Sequence, residues 1–257
     1  MIIVVVLEGE NIIKVYENIK GGCETKALNR ISLKIHEGEF VGIMGPSGSG
    51  KTSLLNILSG IDKITSGRVN LWGTDINTMD KGTLAVFRRQ NLGFIFQEFN
   101  LLDSLTLKEN IMIPMILDKK AKSYMEKKTK NIMDAFDIYN IKDKYPYNVS
   151  GGQQQRVAIS RAIVNDPKIV FADEPTGNLD SKASKDIMMC FEKMNKDMGN
   201  TILVVTHDVF AASYCNRIIF IKDGKLHSEI VKKSGRKEFL EEIMTSLSVL
   251  GGDRSEL

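Results

Sequence analysis

Eight residues, Gly45-Pro46-Ser47-Gly48-Ser49-Gly50-Lys51-Thr52, constrain this chain more than any others. They follow the pattern G-x-x-x-x-G-K-[ST] in full. The apolar run Glu39–Met44 (EFVGIM) precedes them and reads as a strand; Lys51–Ser59 follows and has helical periodicity. Glycines let backbone N–H groups wrap around phosphate oxygens with no Cβ in the way. The helix after the loop points its positive end at the same anion. Lys51 adds a point charge for the β- and γ-phosphates of a nucleotide, and the Thr52 hydroxyl is a hard oxygen ligand for Mg²⁺.

Strand and helix signals alternate through much of the chain. Leu92–Phe96 (LGFIF), Lys168–Ala172 (KIVFA), Thr201–Thr206 (TILVVT) and Arg217–Ile221 (RIIFI) read as strands. Several are apolar on both faces, as a buried parallel sheet requires. Helical patterns lie near Gly152–Asn165, Ser181–Met198 and Val209–Cys215. The alternation predicts an α/β domain with a parallel-sheet core. Residues before about Glu39, with Arg68–Trp72, read as an antiparallel β edge, and Met1–Leu7 as a strand within it. From Leu102 to about Asp166 the pattern is almost wholly helical, which predicts an inserted α-helical subdomain over about 102–166. Its Lys-rich stretch, Lys119–Lys130, reads as a solvated helix face.

Charge and cysteine content narrow the partners. Lys+Arg 35 against Asp+Glu 32 leaves a net charge of +3, which gives no argument for nucleic acid or an anionic membrane surface. The apolar stretch Met1–Leu7 falls short of the roughly 20 residues that a membrane-spanning helix needs. It also lacks the flanks of a signal peptide, so a role at a membrane calls for another chain. Cys23, Cys190 and Cys215 read as ordinary thiols of a reducing compartment.

Two further segments carry chemistry. Ile169–Glu174 (IVFADE) is an apolar strand ending in two carboxylates. Asp173 suits Mg²⁺, and Glu174 suits a general base, or a residue positioning water for attack on the γ-phosphate. In Val149–Arg156 (VSGGQQQR), Ser150 is placed to cap a new helix, with two glycines exposing backbone N–H groups behind it. This is a second anion site, far in sequence from the first. Two chains packed head to tail have a use for it, because each closes the nucleotide of the other.

These ordered segments resemble the ATP-binding cassette family over nearly the whole chain. The resemblance implies a P-loop NTPase fold, an ABC nucleotide-binding domain over 1–235 and a C-terminal tail over 236–257. It implies ATP and Mg²⁺ as cofactors. Gly45–Thr52, with Ser53 after it, looks like the Walker A loop. Gln97 looks like the Q-loop glutamine, which touches the metal and senses the transmembrane partner. Ser150, Gly151, Gly152 and Gln153 look like the signature motif, with Val149 where leucine is usual. Asp173 and Glu174 match the Walker B pair, and Asn178-Leu179-Asp180 the D-loop. His207 looks like the switch histidine that contacts the γ-phosphate. Tyr16 sits where the family carries an aromatic that stacks on adenine. On this resemblance Glu174, His207 and Lys51 are the catalytic residues, and Thr52, Gln97 and Asp173 the metal-facing ones.

Several stretches narrow the resemblance. SGSGKTSLLNILSGID and FADEPTGNLDS are similar to the subgroup of lipoprotein-release, macrolide-export and cell-division ATPases. FNLLDSLTLKENIMIPMIL, THDVFAASYCNRIIFIKDGK and the tail FLEEIMTSLSVLGGDRSEL are most similar to the bacitracin-resistance type. That type implies an integral-membrane permease that also signals to a sensor histidine kinase, a homodimer, and a place at the cytoplasmic face of the membrane. In the tail, Phe239, Leu240, Ile243, Met244, Leu247 and Leu250 recur at helical spacing. That apolar face serves either packing on its own core or a contact with another chain.

Overall fold

Phe40, Val41, Gly42, Ile43 and Met44 are all buried, so the strand entering the glycine-rich loop has no wet face. The structure, a computed structural model, describes residues 4–17 and 24–251. Cys23, the start of the N-terminal apolar run and the last six residues of the tail lie outside the described residues. In chain order the elements are β1 (Val5–Tyr16), β2 (Thr25–His36), β3 (Phe40–Met44), α1 (Lys51–Leu58), β4 (Ser66–Leu71), β5 (Thr74–Asp75), α2 (Lys81–Asn91), β6 (Leu92–Ile95), α3 (Leu107–Leu117), α4 (Lys122–Ala135), α5 (Gly151–Ile163), β7 (Ile169–Asp173), α6 (Ser181–Lys196), β8 (Ile202–Val205), α7 (Val209–Ala212), β9 (Arg217–Lys222), β10 (Lys225–Val231) and α8 (Arg236–Gly251). The chain divides into two units, Met1–Leu84 with Thr201–Leu257, and Ala85–Asn200.

In the first unit, β2, β1, β4 and β5 form an antiparallel sheet in that order. Strand β3 pairs in parallel with β8 on one side and β9 on the other. The sequence reading covers these strands except β5, which pairs antiparallel with β4, and β10, which pairs antiparallel with β9. The β9–β10 turn is Asp223-Gly224, at φ 50 and 69, the pair of positive angles that a type I′ hairpin turn needs.

The C-terminal helix belongs to this unit. Phe239, Ile243 and Leu250 are buried, and α8 packs against α7. Lys232 Nζ donates to the Ser213 carbonyl at 2.9 Å and lies 5.7 Å from the centre of the Phe239 ring. The Arg236 guanidinium lies 4.4 Å from the centre of the Tyr214 ring. The expected apolar stripe is only partly a core face: Met244 is 54% exposed. Phe239→Ala removes a wholly buried ring and leaves a void. It is expected to lower unfolding stability by about 3–5 kcal/mol, read as a shift of the urea midpoint.

In the second unit, β6 and β7 pair in parallel, with Leu92 opposite Ile169 and Ile95 opposite Ala172. Helices α3, α4 and α5 fill the stretch that reads as helical in the sequence. Helix α3 starts with a capping box: Thr106 Oγ1 accepts from Glu109 N–H, and the Glu109 carboxylate accepts from Thr106 N–H. Hydrogen bonds from the Thr106 N–H and hydroxyl, 2.8 Å each, hold the Glu109 carboxyl below its ordinary range. Wholly buried Asn110 fastens the preceding loop, accepting from Leu102 N–H and donating to the Leu102, Leu105 and Thr106 carbonyls. Helix α2 has no buried residue, and the sequence gives it no periodic stripe. Its end is tied down by Arg89, whose Nε donates to Asp118 at 2.5 Å, while Asn165 Nδ2 donates to the same carboxylate at 3.2 Å. No helix among the described residues is long and apolar enough to cross a membrane.

Candidate functional site

The first unit carries the phosphate loop. Gly45 sits at φ 157, and a Cβ there would lie 2.0 Å from the Ile221 carbonyl oxygen, so no other residue fits. The close approach to β9 turns the chain sharply out of β3. Pro46, Ser47 and Gly48 are exposed along the loop, and Ser49 is buried beneath them. Ser49 Oγ has no hydrogen-bond partner among the described residues. Buried Lys51 folds back over the loop, donating to the Gly45 and Pro46 carbonyls at 2.9 Å each. Helix α1 begins after Gly50 with no side-chain cap and no acidic residue in its first turn. The first turn of α1 thus brings no carboxylate of its own to its leading N–H groups, which suits an anion. Thr52 is exposed and Ser53 half-buried at that end.

Strand order delivers His207 to the same edge. Strands β3 and β8 run in parallel with Ile43 opposite Val205. The phosphate loop leaves β3 two residues later, and His207 follows β8 at the same distance. Ligands of open α/β sheets bind at such carboxyl ends. His207 is exposed. The residues around it are held: Thr206 N–H donates to the Ile43 carbonyl, Asp208 N–H to Thr206 Oγ1 at 3.0 Å, and Phe210 N–H to Asp208 Oδ1 at 2.8 Å.

Tyr16 ends β1 and is 39% exposed. Its hydroxyl donates to Asp62 Oδ2 at 2.8 Å and lies 3.3 Å from Ser53 Oγ, which joins it to α1. Lys14 Nζ lies 4.6 Å from its ring centre and donates to Asp62 Oδ1 at 2.9 Å. Burial pushes the Asp62 carboxyl up. Hydrogen bonds from Lys14, Tyr16 and the Lys63 amide, with the Lys14 charge, outweigh it, and the group lies below its ordinary range. The ring is thus fixed with a face that can stack on a base.

The second unit carries the carboxylates. The parallel register of β6 and β7 brings Gln97 and the Asp173-Glu174 pair to one strand edge. Asp173 and Glu174 are half-buried, and Glu174 holds φ 43, unusual for a glutamate. Gln97 and Asn178 clasp each other: Gln97 Nε2 donates to Asn178 Oδ1 and Asn178 Nδ2 to the Gln97 carbonyl, each at 3.3 Å. A Cβ on Gly177 would lie 2.8 Å from Gln97 Nε2, so the clasp needs glycine there. The clasp leaves Gln97 Oε1 as an acceptor. It joins residues 81 apart, and no local pattern announces it.

Ser150 caps α5 through a capping box. Its Oγ accepts from Gln153 N–H at 3.3 Å, and Gln153 Oε1 accepts from Ser150 N–H at 3.1 Å. Asp180 caps α6, accepting from Ala183 N–H at 2.8 Å. These two helix starts are neighbours, since Ser150, Gly152, Gln153 and Asp180 line one cavity of about 300 Å³. A second cavity of about 470 Å³ lies among Phe94, Phe96, Ile113, Pro114, Leu117 and Arg161. The described residues contain no cluster of three or more His, Cys, Asp or Glu able to hold a metal.

A glycine-rich phosphate loop after a parallel strand, an acidic strand end and a capped Ser-Gly-Gly helix are the features of an ATP-binding cassette. The chain belongs to the ABC transporter family, whose description matches residues 28–177. It is 50% identical over 251 residues to the uncharacterized ABC transporter ATP-binding protein YvcR of Bacillus subtilis, covering 98% of this chain and 97% of that one. It is 45% identical over 252 residues to the bacitracin export ATP-binding protein BceA of Halalkalibacterium halodurans, covering 98% and 99%. Among solved structures it matches the dimeric, ADP- and Pi-bound cassette MJ0796 of Methanocaldococcus jannaschii with a TM-score of 0.81 and 40% identity, over 89% of this chain and 99% of that one. The chain is an ABC-type ATP hydrolase.

Proposed function

We propose that this ATPase powers an integral-membrane permease that protects a bacterial cell against bacitracin-like or lantibiotic peptides. The observation that carries this reading is the 45% identity to a bacitracin export ATPase, extending over 99% of that protein. The cassette then spans 1–235 with its helical subdomain over about 102–166, and 236–257 is a tail. The chain sits at the cytoplasmic face of the membrane, held there by the permease. The cavity floored by Phe94, Phe96, Pro114 and Leu117 offers apolar surface for a short permease segment.

In the catalytic cycle, two copies pair head to tail around two ATP molecules. Lys51 and the loop N–H groups bind the phosphates, and Tyr16 stacks on the base. Thr52, Asp173 and Gln97 supply hard oxygen donors of the kind Mg²⁺ takes alongside nucleotide phosphates. An ion held by these residues would supply positive charge against the phosphoryl oxygens. Ser150, Gly151, Gly152 and Gln153 of the second copy complete the phosphate cage, with Asp180 at the shared face. Glu174 takes a proton from the attacking water, and His207 contacts the γ-phosphate. Catalysis is by positioning and charge stabilisation, without a covalent intermediate.

The test is to solubilise native membranes gently, capture the chain and identify what accompanies it by mass spectrometry. The expected companion is one large permease with a big extracellular domain, with a sensor histidine kinase attached through it. A lipoprotein-handling permease instead would move the role to lipoprotein release and leave the ATP site as assigned.

A further inference from the structure

Gln155 lies wholly buried on α5. Its Nε2 donates to the Pro175 carbonyl at 2.7 Å. A carbonyl only accepts, so the orientation of the amide is fixed by chemistry. The other end, Oε1, is buried and has no hydrogen-bond partner among the described residues. A leucine or methionine would fill a similar volume without an orphaned oxygen. The amide therefore contributes through its donor.

The bond lands on a strained turn. Glu174 has φ 43 and precedes a proline, and each feature restricts a non-glycine backbone. Such a conformation persists where its neighbours over-determine it. Gly177 N–H donates to the Glu174 carbonyl at 3.0 Å, from within the turn. Gln155 reaches in from a separate element, 20 residues away in sequence. That element is the helix whose first turn holds Ser150, Gly151 and Gly152.

We infer that Gln155 is a positioning residue: it holds the Glu174–Pro175 turn, and so aims the Glu174 carboxylate, from the helix that carries Ser150. This rests on the reading of Glu174 as the base. It supplies a direct link from the helix that engages the second nucleotide to the group that activates water. A shift of α5 on dimer closure reaches Glu174 through one buried hydrogen bond.

The test uses the purified full chain under single-turnover conditions, with protein in excess over ATP. Gln155→Leu is expected to bind ATP as tightly as the parent and to hydrolyse it about 10²-fold more slowly per folded molecule, the loss that a misplaced catalytic group brings. Gln155→Glu adds a signature that mere structural support does not produce. Burial pushes its carboxyl above the ordinary carboxylate range, and only the protonated form donates to Pro175. Its rate relative to the parent should therefore rise severalfold between about pH 9 and about pH 6.5. A Gln155→Leu rate within about threefold of the parent would overturn the inference, as would a flat pH ratio for Gln155→Glu. Glu174→Gln is run alongside. Hydrolysis surviving there would overturn the base assignment and the inference with it, an outcome distinct from a normal rate in Gln155→Leu.

Discussion

Glu174→Gln is expected to lower steady-state ATP hydrolysis by about 10²–10⁴-fold while leaving ATP binding intact, the range that positioned acid–base groups contribute. Glutamine has the same branching as glutamate, so it meets the positive φ at this position with the same backbone cost. It keeps the volume and an acceptor oxygen but cannot take a proton at neutral pH. The change therefore isolates the basic function from the shape. Nucleotide should accumulate uncleaved, and the ATP-bound dimer should persist through size-exclusion chromatography where the parent returns to monomer. Phosphate release near the parental rate would remove Glu174 from the role of base.

The second large effect concerns two chains at once. Ser150→Arg places a bulky cation at the first turn of α5, and Lys51→Ala removes the cation of the phosphate loop. Each variant alone is expected to lose nearly all hydrolysis. Mixed in equal amounts, they should recover activity. About half of the dimers then contain one chain of each kind. In such a dimer, the intact Lys51 of one chain faces the intact Ser150 of the other, and the two damaged groups share the remaining site. Recovery measured as phosphate release, and absent from either variant alone, is the expected result. A mixture as inactive as its parts would argue against a site shared between chains.

The parts of this fold that the sequence displayed are those whose burial is periodic. The strands β3, β6, β7, β8 and β9 are apolar runs bounded by polar turns, and the phosphate loop is contiguous in sequence. Helix α2 was not visible because it buries no residue; Asp80, which accepts from Gly82 and Thr83 N–H, starts it instead. Strand β10 alternates between exposed and half-buried residues, and Ser228 interrupts the half-buried face between Leu226 and Ile230. The Asp223-Gly224 pair before it is a hairpin signal that could have revealed it. Met244 shows the limit of helical spacing: the pattern gives a face, and the neighbours of the helix decide how much of it is covered. The Gln97–Asn178 clasp and the Gln155–Pro175 bond escaped for another reason. Both depend on which residues meet after folding, and an amide reads the same in sequence whether it faces water or a buried carbonyl.

Ser150 has a hydroxyl with one proton and two lone pairs. The helix start uses a lone pair, through Gln153 N–H, and on the proposed head-to-tail pairing it leaves the proton for a phosphate oxygen held by the opposing chain. On that pairing, one atom serves both as a joint in its own subunit and as a tooth in its partner's lock. A substitution at this position would then change the folding of a helix and the grip on a ligand together. Activity lost there sums the two effects, and any value taken as the strength of the phosphate contact alone overstates it by the worth of the cap.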